Sequence, residues 1–324
     1  MLTFKKRFPN LSLPLLLAFG CLFSSGLDHS TAHASDAAPP SQASSSMKKP
    51  KDQKQWENWK KKWMRTLQKH CFPDWPKQPN PLNAKERFSA QSKGVSLRAI
   101  DFDGPAGRRS LYISHYPGLE EPDLVVLTTL GEEGWTDFLA AMRPEFEMEL
   151  GFKNLPEPNL KSFKQHQGMY RSFKWAMAYL APSGIDPNSL PNADEVPKSQ
   201  LDPIRVLELR KAVQTLRSTG RMGKVPVWLQ GQGIMAGVTL YAGLFEPDIA
   251  RFDLHDLPKS HKQSSFLEKA LPILDLPQSV ALALEHSQVI LYQDDEEGWD
   301  YPATTAKQLK WNNRLQIRTP PPPQ

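Results

Sequence analysis

The segment Val225–Leu244 contains the residues of this chain that are best suited to chemistry. Its sequence, VPVWLQGQGIMAGVTLYAGL, predicts a buried strand that runs into Gly231-Gln232-Gly233 and then a helix. A tight strand-to-helix turn with the pattern G-x-S-x-G exposes a nucleophilic serine beside a helix N-terminus, which stabilises negative charge. Here the nucleophile position is Gly233, and glycine cannot attack an acyl carbon. The segment therefore predicts the turn without its reacting group.

Two other interpretations of this turn have less support. Shifting the pattern by two residues puts Met235 in the nucleophile position, and methionine cannot attack an acyl carbon either. The glycines also fit the loose dinucleotide fingerprint Gly231-x-Gly233-x-x-Ala236, with Asp253 about 20 residues further on. That fingerprint belongs after the first strand of its unit, whereas this turn comes late in the predicted sheet. The sequence therefore predicts no bound cofactor.

The order of acid and base along the chain also departs from that of a serine triad. In enzymes with this turn, the acid and then the histidine follow the nucleophile, and the histidine comes after the last strand. Asp294 and Asp295 follow the predicted strand Val289–Tyr292 and could serve as the acid. No histidine occurs after His286, and only TPPPPQ follows the last predicted strand, Arg314–Arg318. The usual base is therefore missing, as the nucleophile is.

Two histidines nearer the middle of the chain offer substitutes. His255 and His261 lie after the predicted strand Ala250–Leu254 and could act as a displaced base. With Asp253 and Asp256 they could also hold a divalent metal, because this edge of an α/β sheet commonly binds ligands. A polar loop that caps the next helix is the simpler interpretation, and we expect no metal there.

The predicted cleft is formed by the turn and by the loop after the strand Leu124–Leu130. Glu132 and Glu133 in this loop could form a carboxylate pair with a shifted pKa, but acids just before Trp135 are more typical of a helix start. They would also repel an oxyanion rather than stabilise it. The acid run Asp294–Glu297 could bind calcium, although its spacing lacks the alternation of a calcium loop and favours a solvated loop. The residues expected to line the cleft are Gly131, Glu132, Gln232, Gly233, Ile234 and Met235.

The elements that must position these residues follow an α/β pattern. The segments Val95–Asp103 and Arg109–Tyr116 flank the turn sequence DGPAG and predict an antiparallel hairpin. Continuous apolar runs, which are typical of strands buried on both faces, then alternate with helical stretches. We therefore predict an α/β domain with a mostly parallel sheet, helices on both faces and an antiparallel hairpin at the start. The predicted buried strands include Leu124–Leu130, Val225–Leu229 and Val289–Tyr292, and the predicted helices are Trp135–Met142, Ser172–Leu180, Ile204–Leu216, Ile234–Leu244 and Thr304–Trp311.

Composition limits the class of protein. Of the 324 residues, 39% are hydrophobic and 23% charged, and this mixture excludes a wholly disordered chain, a collagen and a multi-span membrane protein. Two cysteines exclude a disulfide scaffold and a cysteine-rich zinc module, and Cys71, in an apolar run, is predicted to be a packed thiol. The net charge of +5 falls to +3 without residues 1–34, which contain three basic residues and one acid. Such a mildly basic chain predicts no nucleic-acid partner.

The two ends of the chain are predicted to lie outside the folded domain. Residues 1–34 are typical of a secretory signal, with a basic start, an apolar stretch and small residues before Ser35, where we expect cleavage. We therefore expect a secreted or periplasmic protein. A lipid anchor on Cys21 is an alternative. Residues 35–55 are predicted to be a disordered linker, 56–318 the domain and 319–324 a proline tail.

A tryptophan-rich helix is predicted at the start of the domain. Trp56, Trp59, Trp63 and Leu67 fall on one helical stripe, which basic residues surround up to Lys69. Such a helix can lie on a membrane surface. The narrow aromatic stripe instead favours docking on the domain, with the lysines facing solvent.

Several stretches recur in the order and spacing of a known group of proteins, from about Gln55 to Ile317. They are Trp59 with Cys71-Phe72-Pro73-Asp74-Trp75-Pro76, Val125–Leu127 with Gly131–Trp135, Arg205–Ala212, the turn at Gly231–Gly233, Leu254–His261 and Leu274–Pro277. In these stretches the chain resembles the secreted bacterial α/β-hydrolases grouped with acetylxylan esterases and dienelactone-hydrolase-like proteins.

The resemblance implies the α/β-hydrolase fold and ester hydrolysis by a serine, an acid and a histidine, with deacetylation of polysaccharides in the esterase branch. It assigns the serine position to Gly233 and the acid position to Asp294 or Asp295, and it leaves the histidine position unfilled. We therefore predict a catalytically degenerate relative that binds a carbohydrate or acyl ester ligand, or a protein partner, in the former cleft. The alternatives are an active ester hydrolase with a non-standard or metal-assisted site, and a protein held at a membrane surface by the helix Trp56–Lys69.

Overall fold

The structure, a computed structural model, describes residues 48–76, 81–186, 196, 198–264 and 266–320. The predicted signal 1–34, the predicted linker up to residue 47 and the proline tail from residue 321 lie outside the described residues. Within the described ranges, no helix combines the length and the apolar character that crossing a membrane requires.

A nine-stranded sheet forms the centre of the described part of the chain. Its strands are β1 Lys85–Ser92, β2 Val95–Gly104, β3 Gly107–His115, β4 Leu124–Thr129, β5 Trp175–Leu180, β6 Val227–Gln232, β7 Ile249–His255, β8 Gln288–Tyr292 and β9 Leu315–Arg318. Their order across the sheet is β1-β2-β3-β5-β4-β6-β7-β8-β9. The pairs β1–β2, β2–β3 and β3–β5 are antiparallel, and all pairs from β5 onward are parallel. The predicted mostly parallel sheet with an antiparallel hairpin at its start is therefore confirmed.

The eight α-helices of the described residues cover both faces of this sheet. They are α1 Gln53–His70, α2 Glu132–Leu150, α3 Leu160–Ser172, α4 Lys198–Ser218, α5 Ile234–Leu244, α6 His261–Ser264, α7 Leu276–Leu284 and α8 Asp300–Gln308. On one face, Trp135 of α2 packs against Tyr112 of β3. On the other face, Glu208 of α4 binds Arg109 of the same strand. Positions 109 and 112 point to opposite sides of a strand, so the predicted helices on both faces are confirmed.

The prediction of a helix over Ser172–Leu180 is wrong. α3 ends at Ser172, and Trp175–Leu180 forms β5, in which every residue is buried. Alanine and methionine favour helix, and a short apolar run cannot be assigned by its periodicity alone. Pairing decides the outcome here, because β5 lies between β3 and β4 and hydrogen-bonds to both.

Helix α1 docks on the domain, as predicted. Trp56 is fully buried and packs edge-to-face on Trp311 with 5.2 Å between ring centroids. Its indole N–H donates to Glu285 at 3.2 Å, and Lys60 forms an ion pair with the same carboxylate at 2.7 Å. The helix begins at Gln53, inside the range predicted as linker. Contact of α1 with a membrane surface stays a prediction.

The thiol of Cys71 directly follows α1. It is buried, and burial raises its pKa to about 11. A thiol with so high a pKa is almost entirely protonated at neutral pH and is a poor nucleophile. The predicted packed thiol is therefore confirmed.

Candidate functional site

The turn between β6 and α5 has an unusual backbone conformation. Gly233, which connects the two elements, has φ +56° and ψ −125°, and residues with side chains rarely adopt such angles. Its N–H donates to the carbonyl oxygen of His255 on β7 at 2.9 Å, which fixes the turn to the neighbouring strand. α5 begins at Ile234, directly after the turn. The predicted strand, turn and helix are therefore confirmed.

The two glycines of this turn have different surroundings. A Cβ atom on Gly231 would lie 2.4 Å from Thr239 Oγ1 and 2.5 Å from the Met235 carbonyl oxygen. Any larger residue would collide there, so α5 packs this closely on β6 because residue 231 is glycine. A Cβ atom on Gly233 would have no neighbour within 4 Å. The nucleophile position therefore faces open space and carries no side chain.

A cavity of about 170 Å³ opens beside this turn, between the carboxyl ends of β4, β6 and β7 and the first turn of α2. Of the residues predicted to line the cleft, Gly131, Glu132 and Gln232 do so. Gly233 directly follows Gln232 in the chain, while Met235 is buried and Ile234 is exposed. The full lining is Thr128, Thr129, Gly131, Glu132, Glu133, Gly134, Gln230, Gly231, Gln232 and His255.

Hydrogen-bonded side chains form one wall of this cavity. Thr128 Oγ1 donates to Gln230 Oε1 at 3.3 Å, and Gln230 Nε2 lies 3.2 Å from His255 Nε2. Because an amide nitrogen can only donate, His255 Nε2 accepts and the proton of the neutral ring is on Nδ1. The ring also stacks on Tyr292, with 4.1 Å between centroids and 2° between planes. The wall therefore presents an amide, a hydroxyl and a neutral imidazole to the cavity.

His255 is a weak base in this position. Burial lowers its pKa to about 4, and the nearby positive charge of Arg251 acts in the same direction. The ring is therefore neutral at physiological pH, but it holds a proton too weakly for efficient general-base catalysis. The structure places His255 at the cavity, as a displaced base would require, with a pKa that does not suit that role.

His261 lies in the core beneath α5, away from the cavity lining. It is fully buried, with Nε2 2.8 Å from the Tyr241 hydroxyl and Nδ1 2.8 Å from the Phe266 carbonyl oxygen. Since that carbonyl can only accept, Nδ1 carries the proton and Nε2 accepts from Tyr241, which itself accepts from Ser279 Oγ at 2.9 Å. Burial lowers the pKa of His261. Both ring nitrogens hold the loop to the core, so neither is free to act as a base.

The structure does not bring together Asp253, His255, Asp256 and His261, the four residues considered as metal ligands. Within the described ranges, no group of three or more histidine, cysteine, aspartate or glutamate side chains is placed to hold a metal ion. The carboxylate of Asp253 forms a buried ion pair with Arg251 at 2.5 Å. The Asp256 carboxylate accepts from Gln232 Nε2 at 3.1 Å. The four side chains therefore have separate partners, and His261 is in the core.

The acids predicted for the triad follow β8 and are exposed. Asp295 forms an ion pair with Lys259 at 2.6 Å and accepts from the Glu297 N–H at 2.8 Å. The hydrogen bond from Lys259 lowers the pKa of Asp295. Neither Asp294 nor Asp295 is part of the cavity lining. The run does not form a calcium site within the described residues.

Glu132 and Glu133 lie in the first turn of α2, with Gly131 as the N-terminal cap. This confirms the interpretation of these acids as a helix start. Both are exposed at the rim of the cavity. Their negative charges favour the helix N-terminus and disfavour an anionic ligand in the cavity.

Gln230, Thr128 and Thr129 of the cavity wall were not predicted from the sequence. Gln230 precedes Gln232 by two positions, so both side chains point to the same face of β6. This two-residue spacing in the sequence indicates that Gln230 shares the cleft with Gln232. No sequence pattern indicates Thr128, because its place in the wall depends on the parallel register that sets it beside Gln230 across β4 and β6.

Comparisons with known proteins identify the architecture. No protein-family model matches the sequence, and no curated protein matches it. Among solved structures, one assigned as an acetyl xylan esterase from Bacteroides fragilis has a TM-score of 0.58 at 12% identity, covering 82% of this chain and 75% of that chain. A glucuronoyl esterase from Solibacter usitatus has a TM-score of 0.56 at 12% identity, covering 83% and 89%. A glucuronoyl esterase from Teredinibacter turnerae has a TM-score of 0.50 at 13% identity, covering 79% and 72%.

The chain has the α/β-hydrolase fold. In this fold the nucleophile lies in a tight turn between a strand and a helix, and β6 and α5, joined by Gly233, form a turn of that kind. The acid comes after a later strand, where Asp294 and Asp295 follow β8. The residues that follow β9, 319–324, have the sequence TPPPPQ. The α/β-hydrolase scaffold is present, with a glycine in the turn between β6 and α5.

Proposed function

We propose that this protein binds an acyl or carbohydrate ester in the cavity beside Gly233 and does not hydrolyse it. The observation that carries the proposal is Gly233 itself. It has the constrained backbone of the nucleophile turn, it faces open space, and it has no reacting atom. A turn of this kind without a side chain can orient a ligand but cannot form an acyl-enzyme.

The other side chains of the cavity wall support binding over hydrolysis. The Thr128 hydroxyl donates to Gln230, and the Thr129 hydroxyl accepts from Thr239 at 2.9 Å. Activation of a hydroxyl needs an adjacent base, and His255, with a pKa of about 4, is too weak for this.

The same wall suits a neutral ester. The first backbone N–H groups of α2 have no acceptor within the helix and can donate to a carbonyl oxygen. The amide of Gln230 and the exposed amide of Gln232 can bind hydroxyl or ester oxygens. The carboxylates of Glu132 and Glu133 would repel a free acid. The cavity volume of about 170 Å³ is that of about five or six water molecules, which is room for an acyl group and part of one sugar ring.

A labelling experiment tests the catalytic part of this proposal. The full chain is incubated with a fluorophosphonate probe and, separately, with nitrophenyl acetate and acetylated xylo-oligosaccharides. We expect no labelling and no release of acetate above the buffer rate. Gly233→Ser supplies a hydroxyl without a base, and we expect at most slow labelling of it. Turnover by the natural chain would overturn the proposal.

A titration tests the binding part. Acetylated xylo-oligosaccharides and their deacetylated forms are titrated into the full chain by calorimetry. We expect the natural chain to bind the acetylated form. Gly131→Phe should lose this binding, because its ring fills the cavity. The new Cβ itself fits, since it would lie 3.9 Å from Met235 Cγ, an ordinary contact distance. Gly168→Phe on α3, where a Cβ has no neighbour within 4 Å, is the matched control. Equal binding by both variants would contradict the cavity as the site.

We also propose that the protein is secreted or periplasmic, and residues 1–34 motivate this proposal. Expression of the full chain followed by fractionation and N-terminal sequencing tests it. We expect the exported protein to begin at Ser35 and Ala34→Arg to prevent that cleavage. A cytoplasmic protein that retains residues 1–34 would contradict the proposal.

A further inference from the structure

A groove of about 700 Å³ lies at the other end of the parallel strands from Gly233. Its floor is the face of β1, β2 and β3 that carries Ser96 and Arg98. Its walls are the segment Ser218–Met222, which precedes β6, and the segment Gly118–Glu120, which precedes β4. Gly233 follows the carboxyl end of β6. The groove is therefore separate from the cavity and none of its lining residues is shared with it.

Arg98 on the floor of this groove lacks a proper hydrogen-bond partner. Its Nε atom is buried and has none. One terminal nitrogen, Nη2, contacts the thioether sulfur of Met222 at 3.8 Å, and the other, Nη1, lies 3.8 Å from a Glu86 carboxylate oxygen, beyond hydrogen-bond distance. Among the residues that the structure describes, no oxygen accepts a hydrogen bond from Arg98. The Arg98 side chain is 23% exposed, so water reaches part of the guanidinium, but the buried Nε–H has lost water without gaining an acceptor, which is costly.

The guanidinium nitrogens of Arg98 that lack an oxygen acceptor have a defined geometry. Nε and Nη2 are on one edge of the planar guanidinium, and their two parallel N–H bonds match the two oxygens of a carboxylate. Met222, whose sulfur contacts Nη2, has an unbranched side chain that is itself buried, and its sulfur accepts hydrogen bonds weakly. A carboxylate that displaced the sulfur would give Arg98 two charge-assisted hydrogen bonds.

The remainder of the lining points to the kind of molecule that carries this carboxylate. Five of the sixteen lining residues carry a hydroxyl or amide side chain, and such groups pair well with the hydroxyls of a sugar chain. They are Ser89, Gln91, Ser96, Ser218 and Thr219. The second arginine of the groove, Arg221, is 68% exposed and lies 3.6 Å from Glu120, so water already solvates its guanidinium. We propose that the groove binds an acidic oligosaccharide, with the carboxylate of a uronate unit held by the Nε and Nη2 atoms of Arg98.

Calorimetric titration of the full chain with trigalacturonate and with uncharged xylotriose tests this proposal. We expect binding of the charged sugar, and a loss of about tenfold to a hundredfold in Arg98→Gln, because a hydrogen bond to a charged group contributes about 1.5–3 kcal/mol. Arg98→Lys keeps the charge and removes the paired N–H edge, so we expect a similar loss. Arg108→Gln, an exposed arginine at the hairpin tip that is ion-paired with Asp103, is the matched control and should bind normally.

Several results would overturn the proposal. They are equal affinity of Arg98→Gln and the natural chain, equal affinity for both sugars, or preferential binding of an acidic peptide of the same charge. Ser89→Trp changes an exposed residue of the floor, so it blocks the groove and leaves Arg98 in place. It therefore tests the groove even if the arginine variants fail to fold. Unchanged binding by Ser89→Trp would also overturn it. Gly131→Phe, which fills the cavity beside Gly233, should leave this binding unchanged, so failure here is distinguishable from failure of the ester-binding proposal.

Discussion

Arg98 and Arg109 lie on neighbouring strands of the same hairpin and have opposite surroundings. Arg109 is buried, and its guanidinium donates to Glu208 at 2.6 Å, to Ser183 Oγ at 2.5 Å and to the Arg108 carbonyl oxygen at 2.6 Å. Arg98 donates to a sulfur and has a buried Nε without any partner. The first arginine joins β3 to α4 and to the segment after β5. The second faces a groove.

The two histidines near the turn show the same contrast. His261 uses both ring nitrogens inside the core, whereas His255 has one side of its ring at the cavity. Residue type alone therefore does not separate structural groups from candidate ligand-binding groups in this chain. The difference lies in whether each donor or acceptor already has a partner within the protein.

The largest expected effect concerns Arg109. Arg109→Met removes the partner of Glu208, whose carboxylate is fully buried. We expect the free energy of unfolding to fall by about 3–5 kcal/mol, because an uncompensated charge would remain in the core. Urea denaturation measures this. Arg108→Met, which removes an exposed ion pair, should lower the free energy of unfolding by less than about 1 kcal/mol. Similar losses in Arg109→Met and Arg108→Met would contradict the structural role of Arg109.

The next effect is on the pH dependence of stability and tests the histidines. The folded pKa of His255 is about 4, below the unfolded value of 6.5. As the pH falls, the unfolded state therefore takes up a proton at His255 before the folded state does. The free energy of unfolding consequently drops by about 3 kcal/mol between pH 6.5 and about pH 4.

His255→Phe keeps a ring against Tyr292 and removes this titration. We expect a smaller loss of stability between about pH 6.5 and about pH 4 than in the natural chain, measured by urea denaturation at each pH. Some acid sensitivity should remain, because burial also lowers the pKa of His261. Replacement of the exposed His70, which lies outside this contact, is the matched control variant. An identical pH dependence in His255→Phe and the natural chain would show that His255 titrates normally.

A third prediction tests whether backbone conformation, rather than steric contact, makes substitution at Gly233 costly. Gly233→Ala places a Cβ in open space but on a backbone with φ +56°. We expect a cost of about 1–3 kcal/mol in unfolding free energy from backbone strain alone. Gly131→Ala, across the cavity, has φ −86° and loses only the preference for glycine over alanine at a helix N-cap, so it should cost less than about 1 kcal/mol. If both changes were equally mild, the turn would not be strained.

The smallest expected effect is that of Arg98→Met. The charge it removes has no hydrogen-bonded oxygen, and the side chain it introduces keeps most of the apolar stem. We expect the free energy of unfolding to change by less than about 1 kcal/mol in either direction, because Arg98 is partly exposed and its ion pair with Glu86 is long. A loss as large as that of Arg109→Met would show that Arg98 has a structural role and would contradict the contrast.

Local patterns predicted the fold better than they predicted the site. The segment Val225–Leu244 combines an apolar run, paired glycines and a small-residue helix, and α5 has the predicted bounds Ile234–Leu244. Ser172–Leu180 failed because a short apolar run of alanine and methionine has no periodicity that separates strand from helix. There the sheet neighbours β3 and β4 decided the conformation.

The site depends on contacts between residues that are distant in sequence. Arg109 and Glu208 are 99 positions apart, and no local pattern links them. His261 looked reactive by residue type, and only its burial beside Tyr241 shows that it is structural. The lack of a serine at position 233 is visible in the sequence alone, because it concerns a single residue of one predicted turn.

The edges of the sheet have a consequence for self-association. β1 exposes Lys85, Glu86 and Arg87, and its pairing with β2 is interrupted by a bulge. At the other edge, β9 ends at Arg318 and is followed closely by Pro320, which has no N–H to offer. Charged side chains, bulges and prolines are the means by which natural sheets avoid edge-to-edge pairing. The sheet is thus protected at its β1 edge against aggregation by strand addition, and Pro320 limits extension of β9.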